Sequence, residues 1–272
     1  MTISRPTKAV ILARGLGTRM RAANSDATLD ETQSSVADTG LKAMIPIGRP
    51  FLDYVLSALA DAGFTSVCIV IGPEHSRVRD YYGREAIPER IRIQFAEQPK
   101  PLGTADAVLA AEPFVNGDPF IVLNSDNYYP LEALSALRSL AEPGLIAFEW
   151  SALVELGNVS ATRVRKFGVI EMDRDGYLRR ILAASADTPV SGRAIYASLN
   201  CWLFDPGIFR YCREIQLSPR GELELPRAVQ LAIDKYEAKF KVVAMSLPVL
   251  DMSSRGDISK VEERLRGTDV SL

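Results

Sequence analysis

Lys8-Ala9-Val10-Ile11-Leu12-Ala13, followed directly by Arg14-Gly15-Leu16-Gly17-Thr18-Arg19-Met20, is the stretch whose reading decides the fold. The first six residues show no polar alternation, so both faces of a strand built from them need cover, as in a buried parallel sheet. The glycines that end the run let main-chain N–H groups approach an anion closely, because no Cβ stands in the way. Arg19 then stands within reach to neutralise triphosphate oxygens. The same Gly-x-Gly also suits a plain strand-to-helix turn. It lacks the third glycine of a dinucleotide fingerprint and the Gly-Lys-Ser/Thr of a Walker loop.

Working outward, apolar runs alternate with helical spacing. Strands are predicted at Val67 to Ile71, Ile91 to Ala96, Phe120 to Leu123 and Leu145 to Trp150. Helices are predicted at Pro50 to Leu59, closed by Gly63, and at Glu74 to Tyr82, Thr104 to Glu112 and Leu131 to Leu140. Ala22 to Gly40 is rich in Ser, Thr, Asp and Ala and reads as a long loop. Such an insertion is either a lid or a tolerated surface segment. The second half changes character. Phe167 to Met172 and Tyr177 to Leu182 read as a hairpin around Asp173-Arg174-Asp175-Gly176, with a further strand at Ala194 to Phe204. Helices at Pro206 to Glu214, Leu225 to Lys239 and Ser254 to Arg266, with a strand at Phe240 to Leu247, complete the chain. The alternation predicts an α/β fold with a doubly wound, mostly parallel, Rossmann-like mixed sheet flanked by helices. With no repeat or low-complexity linker, residues 1–272 are expected to form one domain. Its nucleotide-binding half would be 1–150 and its substrate half 151–272.

Bulk composition narrows the function. The formal net charge of −2, from 32 Lys+Arg against 34 Asp+Glu, argues against a nucleic-acid partner. Three cysteines without a C-x-x-C pair and one histidine argue against a zinc site. Cys68, inside an apolar run, reads as buried and reduced. No apolar run approaches the roughly 20 residues of a membrane span, and Met1 to Lys8 is polar without a signal-peptide core. A cytoplasmic protein with no membrane partner is expected.

Three further segments carry candidate chemistry. Lys42 in Leu41-Lys42-Ala43-Met44-Ile45-Pro46 suits a phosphate clamp, although a lone lysine more often faces solvent. Gln98-Pro99-Lys100-Pro101-Leu102-Gly103-Thr104 places a donor–acceptor side chain before a helix start. Gln98 suits the edge of a nucleobase, and the N–H groups of Gly103 and Thr104 suit an anion or a base carbonyl. Asp126 follows the strand Phe120 to Leu123, where ligands of open α/β sheets lie, and a carboxylate there suits Mg²⁺. A turn-forming aspartate fits that position equally well.

Taken in order, these segments resemble the sugar-1-phosphate nucleotidyltransferase family. Leu12 to Met20 matches its Gly-rich loop, Lys42 to Pro50 its lysine segment, and Gln98 to Val108 its base-reading stretch. Ser125-Asp126-Asn127 stands at its Gly-Asp. Downstream, Phe167-Gly168-Val169-Ile170 resembles its Tyr-Gly-Val hairpin and Ala197-Ser198-Leu199-Asn200 its sugar-pocket strand. Arg220-Gly221-Glu222-Leu223-Glu224-Leu225 is similar to the Gly-Glu-Leu-Glu-Ile of thymidylyltransferases, and Asp251 stands at the second metal-binding Asp. The resemblance implies a nucleoside triphosphate and a sugar 1-phosphate as substrates, with Mg²⁺ on Asp126 and Asp251. It assigns Arg19, Lys42 and Asp126 to catalysis. Nucleotide contacts fall to Leu12, Ala13, Arg14, Gly15, Gly17, Thr18, Gln98, Pro101, Gly103 and Thr104. Sugar-phosphate contacts fall to Asn127, Gly168, Ser198, Arg220 and Glu222. Members of the family are often homo-oligomers, which makes a homo-oligomer a candidate assembly.

Departures from the family pattern leave alternatives open. Arg14 replaces a usual Ala; it either adds a phosphate or base contact or points to solvent. Leu41 stands for Pro, Ser125 for Gly beside the metal Asp, and Asn200 for Gly in the sugar strand. The family's Glu-Lys-Pro after the hairpin is missing from Ile181 to Asp187, so its lysine is absent and Arg193 is the nearest substitute. A non-catalytic nucleotide-sugar sensor and a transferase for a non-sugar phosphate are therefore competing readings. A dinucleotide oxidoreductase is excluded by the missing glycine and by Gly72-Pro73 where an acid should end the second strand. Neither the base nor the sugar is fixed by the sequence.

Overall fold

In the computed structural model, which describes residues 5–22, 27–183 and 194–272, the strand that opens the chain lies in the middle of a mixed sheet. β1 (Lys8–Leu12) leads through α1 (Thr18–Arg21), α2 (Glu31–Thr39) and a 3₁₀ turn (Lys42–Met44) to α3 (Phe51–Asp61). β2 (Ser66–Ile71), α4 (Ser76–Asp80), a π turn (Tyr81–Glu85) and β3 (Arg92–Glu97) follow. α5 (Thr104–Ala110), α6 (Glu112–Val115), β4 (Phe120–Asn124), β5 (Asn127–Tyr128), α7 (Leu131–Ser139) and β6 (Gly144–Glu149) complete the first half. The second half runs α8 (Trp150–Glu155), α9 (Ala161–Val164), β7 (Gly168–Met172), β8 (Leu178–Ala183), β9 (Tyr196–Phe204) and α10 (Ile208–Glu214). It ends with α11 (Leu225–Tyr236), β10 (Lys241–Met245), β11 (Leu250–Asp251) and α12 (Arg255–Leu265).

The sheet order is β10-β6-β9-β4-β1-β2-β3, with the β7–β8 hairpin attached through β9, and β11 pairs separately with β5. β1 pairs in parallel with β2 and β4, as do β2 with β3 and β10 with β6. β9 is antiparallel to both neighbours, β4 and β6. Alternate strand residues feed two cores. Ala9, Ile11, Ile69, Ile121 and Leu203 face α3, α7 and α12, whereas Val10, Leu12, Val70, Val122 and Trp202 face α5, α10 and α11. This is why the uninterrupted apolar runs read as doubly covered strands. Cys68 is buried in the second core, as its run implied. Among the described residues no helix is long and apolar enough to cross a membrane.

Two local readings change. The expected loop from Ala22 to Gly40 contains α2, capped by a reciprocal box in which Asp30 accepts from the Gln33 N–H, and closed by Gly40. Residues 23–26 of that stretch lie outside the described residues. Trp150, expected to end a strand, begins α8 instead, and neither α8 nor α9 is visible as a periodic pattern. Both are shorter than two turns, which leaves too few positions for an apolar stripe.

Candidate active site

A cavity of about 560 Å³ opens where β1, β3 and β4 end, and it gathers segments distant in sequence. Leu12, Ala13, Gly15, Gly17, Thr18 and Arg19 of the first loop line it. The glycines there do different work. A Cβ on Gly15 would meet nothing within 4 Å, so Gly15 leaves main chain open to a ligand. Gly17, with φ +63°, instead lets the loop touch its own chain: a Cβ there would lie 2.1 Å from the Gly40 carbonyl oxygen. That contact places the loop against the turn preceding Lys42. No described residue pairs with the exposed Arg19 side chain.

Arg14 does not face solvent. It is 7% exposed, its Nε donates to the Gln98 carbonyl at 3.1 Å, and its Nη1 lies 2.7 Å from Glu74 Oε1. A main-chain N–H bond, reinforced by Arg14, holds the Glu74 carboxyl below its ordinary range. Gly72 leaves room for this pair, since a Cβ there would come within 2.6 Å of both side chains. Arg14 therefore braces the loop that carries Gln98 while still lining the cavity.

Gln98 is 2% exposed, and its Nε2 donates to the Gly103 carbonyl at 3.0 Å and to Asp106 Oδ2 at 2.7 Å. Gly103 adopts φ +115°, and a Cβ there would lie 2.6 Å from the Leu223 carbonyl oxygen. The segment around Leu223 is laid along this loop. The Leu223 N–H donates to Leu102, Ala105 donates back to Leu223 at 2.8 Å, and the Leu225 N–H donates to Thr104 Oγ1 at 2.8 Å. Arg220 and Glu222 consequently share the cavity wall with Pro101, Gly103 and Thr104. Arg220 also pairs with Glu224 at 2.6 Å.

Asp126 lines the cavity beyond the end of β4, and Lys42 Nζ lies 2.7 Å from its Oδ2. Asp251 sits behind it, 2% exposed and absent from the cavity wall, on the strand whose Asp251 pairs with Asn127. Its Oδ1 accepts from Ser253 at 2.7 Å and its Oδ2 faces Arg163 Nε at 3.2 Å. Arg163 also pairs with Asp257 at 2.7 Å, and the Asn158 amide bonds both main-chain groups of Asp251. Burial, aided by the nearby charge of Asp126, raises the proton affinity of Asp251, with Arg163 and Ser253 opposing.

The remaining expected contacts divide. Asn127 is 4% exposed and accepts from Asn124 Nδ2 at 3.0 Å rather than lining the cavity. Gly168 and Ser198 face each other across β7 and β9 but lie off the cavity wall; the Ser198 hydroxyl is buried without a described partner. Arg193 lies outside the described residues. Among the lining residues that went unassigned are two asparagines. Asn124 ends β4, and Asn200, with φ +56°, donates to Asn124 Oδ1 at 3.1 Å and accepts from Trp202 Nε1 at 3.3 Å. A polar residue at the carboxyl end of a central strand was the available signal for Asn124. For Arg163 and Asn158, which reach Asp251 from 88 and 93 positions away, there was none.

The chain is 28% identical over 270 residues to a glucose-1-phosphate thymidylyltransferase of Streptomyces antibioticus, covering 96% of this chain and 69% of that protein. A second glucose-1-phosphate thymidylyltransferase, from Streptomyces griseus, is 29% identical over 84% of this chain and 57% of its own length. The chain thus spans between half and three-quarters of these relatives. The fold matches the solved UTP-bound UGPase from Acinetobacter baumannii with a TM-score of 0.72 at 18% identity, over 97% of this chain and 95% of that one. The family model for nucleotidyl transferases matches residues 8–246, and the chain belongs to that family.

Proposed function

We propose that the protein is a cytoplasmic enzyme that condenses a nucleoside triphosphate with a sugar 1-phosphate, giving a nucleotide sugar and pyrophosphate. One observation carries the reading. Arg19, Lys42 and Asp126 share one cavity with a nearly buried Gln98 whose amide is already oriented. In the reaction a sugar-phosphate oxygen bonds to the α-phosphorus as the bond to the bridging oxygen breaks, and pyrophosphate leaves. The chain's task is to align the attack and to neutralise charge. Gln98 and Gly103 hold the base, Gly15 and Thr18 offer main chain to the phosphates, and Arg19 meets the leaving pyrophosphate. Lys42, now paired with Asp126, exchanges that partner for a phosphate oxygen. Asn124, Asn200 and Phe167 flank the acceptor end.

The residues present fit a divalent cation. Asp126 and Asp251 stand on adjoining chain, since Asp251 pairs with Asn127 and the Met252 N–H donates to the Asp126 carbonyl at 2.8 Å, and Lys42 already stands on Asp126 as a cation. Mg²⁺ held by these two carboxylates would withdraw charge from the phosphate oxygens. The test is pyrophosphate release with Mg²⁺ across a grid of nucleoside triphosphates and sugar 1-phosphates. Release that requires one of each supports the reading, and Asp126→Asn should then lower kcat by about 10²-fold or more without loss of fold. Nucleotide binding with no release from any pair would overturn it.

A further inference from the structure

The Gln98 amide has only one orientation available to it. Its Nε2 lies 3.0 Å from the Gly103 carbonyl oxygen and 2.7 Å from Asp106 Oδ2. Turning the amide over would press Oε1 against two acceptors at those distances, one of them a carboxylate oxygen with no hydrogen to offer. Both Nε2 hydrogens are thus spent inside the protein. Arg14, anchored by Glu74, fixes the Gln98 main chain from the other side at 3.1 Å. Oε1 has no described donor, and Gln98 lines the cavity. The side chain therefore presents an acceptor, and only an acceptor, to whatever lies there.

We propose that Asp106 is a specificity-determining residue: by holding the Gln98 amide nitrogen it commits the cavity to nucleobases that present a ring N–H. This rests on the reading that the cavity holds a nucleoside triphosphate with its base at Gln98. Uracil, thymine and guanine carry a ring N–H on the edge that a glutamine reads. Cytosine and adenine carry a ring nitrogen lone pair there, which meets Oε1 as acceptor against acceptor unless the base shifts to offer its exocyclic amino group, away from the position a ring N–H occupies. Asp106 touches no substrate, being absent from the cavity wall. It acts through Gln98 and is a positioning residue. Discrimination of this kind is large because the wrong base leaves a desolvated acceptor unpaired.

The test is calorimetric binding of UTP, dTTP, GTP, CTP and ATP to the full chain, with Mg²⁺ present and no acceptor. The wild type should bind at least one of UTP, dTTP and GTP more than about tenfold more tightly than CTP and ATP. Asp106→Asn supplies a donor as well as an acceptor, which leaves the Gly103 carbonyl alone to oppose a turned amide, and should shrink that margin by about tenfold. A purely structural role would weaken all five nucleotides together and leave the margin unchanged, which would overturn the proposal. So would a wild-type preference for CTP or ATP, or binding of none of the five. Should Asp106→Asn fail to fold, the wild type answers alone. The triphosphate of N3-methyluridine, with no ring N–H, should bind at least about tenfold more weakly than UTP, and equal binding would overturn the proposal. Failure here is distinct from failure of the transfer reaction. Pyrophosphate release with a CTP or ATP preference keeps the reaction and overturns the inference. A ring N–H margin without turnover does the reverse.

Discussion

His75 is the chain's single histidine, and its surroundings set two opposed forces on one proton. Burial disfavours the imidazolium, the neighbouring Glu74 favours it, and Arg14 and Arg21 oppose it. Burial wins, so folded His75 titrates below its ordinary value of 6.5. Its Nδ1 accepts from the Gly72 N–H at 3.3 Å, a bond that the doubly protonated ring cannot make. The sign follows from linkage. As pH falls below about 6.5 the unfolded chain binds the proton first, so stability present above that pH is lost towards the lower folded value. The only imidazole Hε1 resonance should therefore shift with a midpoint below 6.5. The drop in urea midpoint from neutral pH to about pH 5 should be smaller in His75→Asn, which keeps an acceptor for Gly72. A midpoint above 6.5 would mean that Glu74 outweighs burial. At this scale residue type announces a site only when the residue meets the ligand directly. Lys42, Gln98 and Asp126, singled out because their chemistry suits nucleotide and metal, do line one cavity, although Lys42 and Asp126 each had an ordinary reading beside that one. The bracing role of Arg14 was not legible, because its partner carbonyl lies 84 positions away and nothing local specifies the encounter.

Among the elements, α2 shows where periodicity misleads. Its residues Glu31 to Thr39 include Thr, Ser, Val and Asp, all modest helix formers, and only Gln33 and Ala37 are buried. With so narrow an apolar contact the stretch looks like polar loop. Its ends carry local signals that the loop reading passed over: Asp30 and Gln33 stand three apart as a capping box, and Gly40 closes the helix. Tertiary contacts do the rest. Gln33 Nε2 donates to the Pro46 carbonyl at 3.0 Å, and Arg255 donates to Ser34 Oγ at 3.3 Å and pairs with Asp38. The helix thereby fixes Gly40, which Gly17 touches, so α2 shapes the first loop from behind. Asp30→Ala should cost about 1 kcal/mol, read as a lowered urea midpoint at unchanged m-value. It should also raise the KM for the nucleoside triphosphate more than it changes kcat. An unaltered urea midpoint would mean that the docking contacts alone hold α2. β1, β2, β4 and β6 were read to within one residue at each end because they are covered on both faces, so that composition and burial coincide; β5 and β11, two residues each, left no pattern to read.

For the molecule as a whole, the position of β9 governs how the two halves of the chain relate. β9 comes from the second half yet inserts between β4 and β6 of the first, bonding to both. Without it, β4 would expose an unpaired edge and the β6–β10 pair would have no sheet to join. The end of the chain repeats the theme. Arg255 of α12 is 9% exposed, and its Nε donates to the Met20 carbonyl at 3.0 Å, next to Arg19 in the first loop. Alternating strands and helices made the layers legible, but no local pattern says that a strand beginning at Tyr196 enters the sheet of the strand that begins at Lys8. The interleaving predicts one cooperative unit rather than separable nucleotide and sugar halves. The chain carries its own probes, because Trp150 stands at the junction of the halves in the core facing α3, α7 and α12, Trp202 lies in the second half in the other core, and they are 2% and 0% exposed. In Trp150→Phe and Trp202→Phe, the remaining tryptophan should report a urea transition coincident with that from far-ultraviolet circular dichroism of the same variant. A fragment spanning residues 1–150 should show no cooperative transition. Fluorescence from either tryptophan that leads or lags the circular dichroism would divide the chain into two folding units and relegate β9 to docking after the first half has formed.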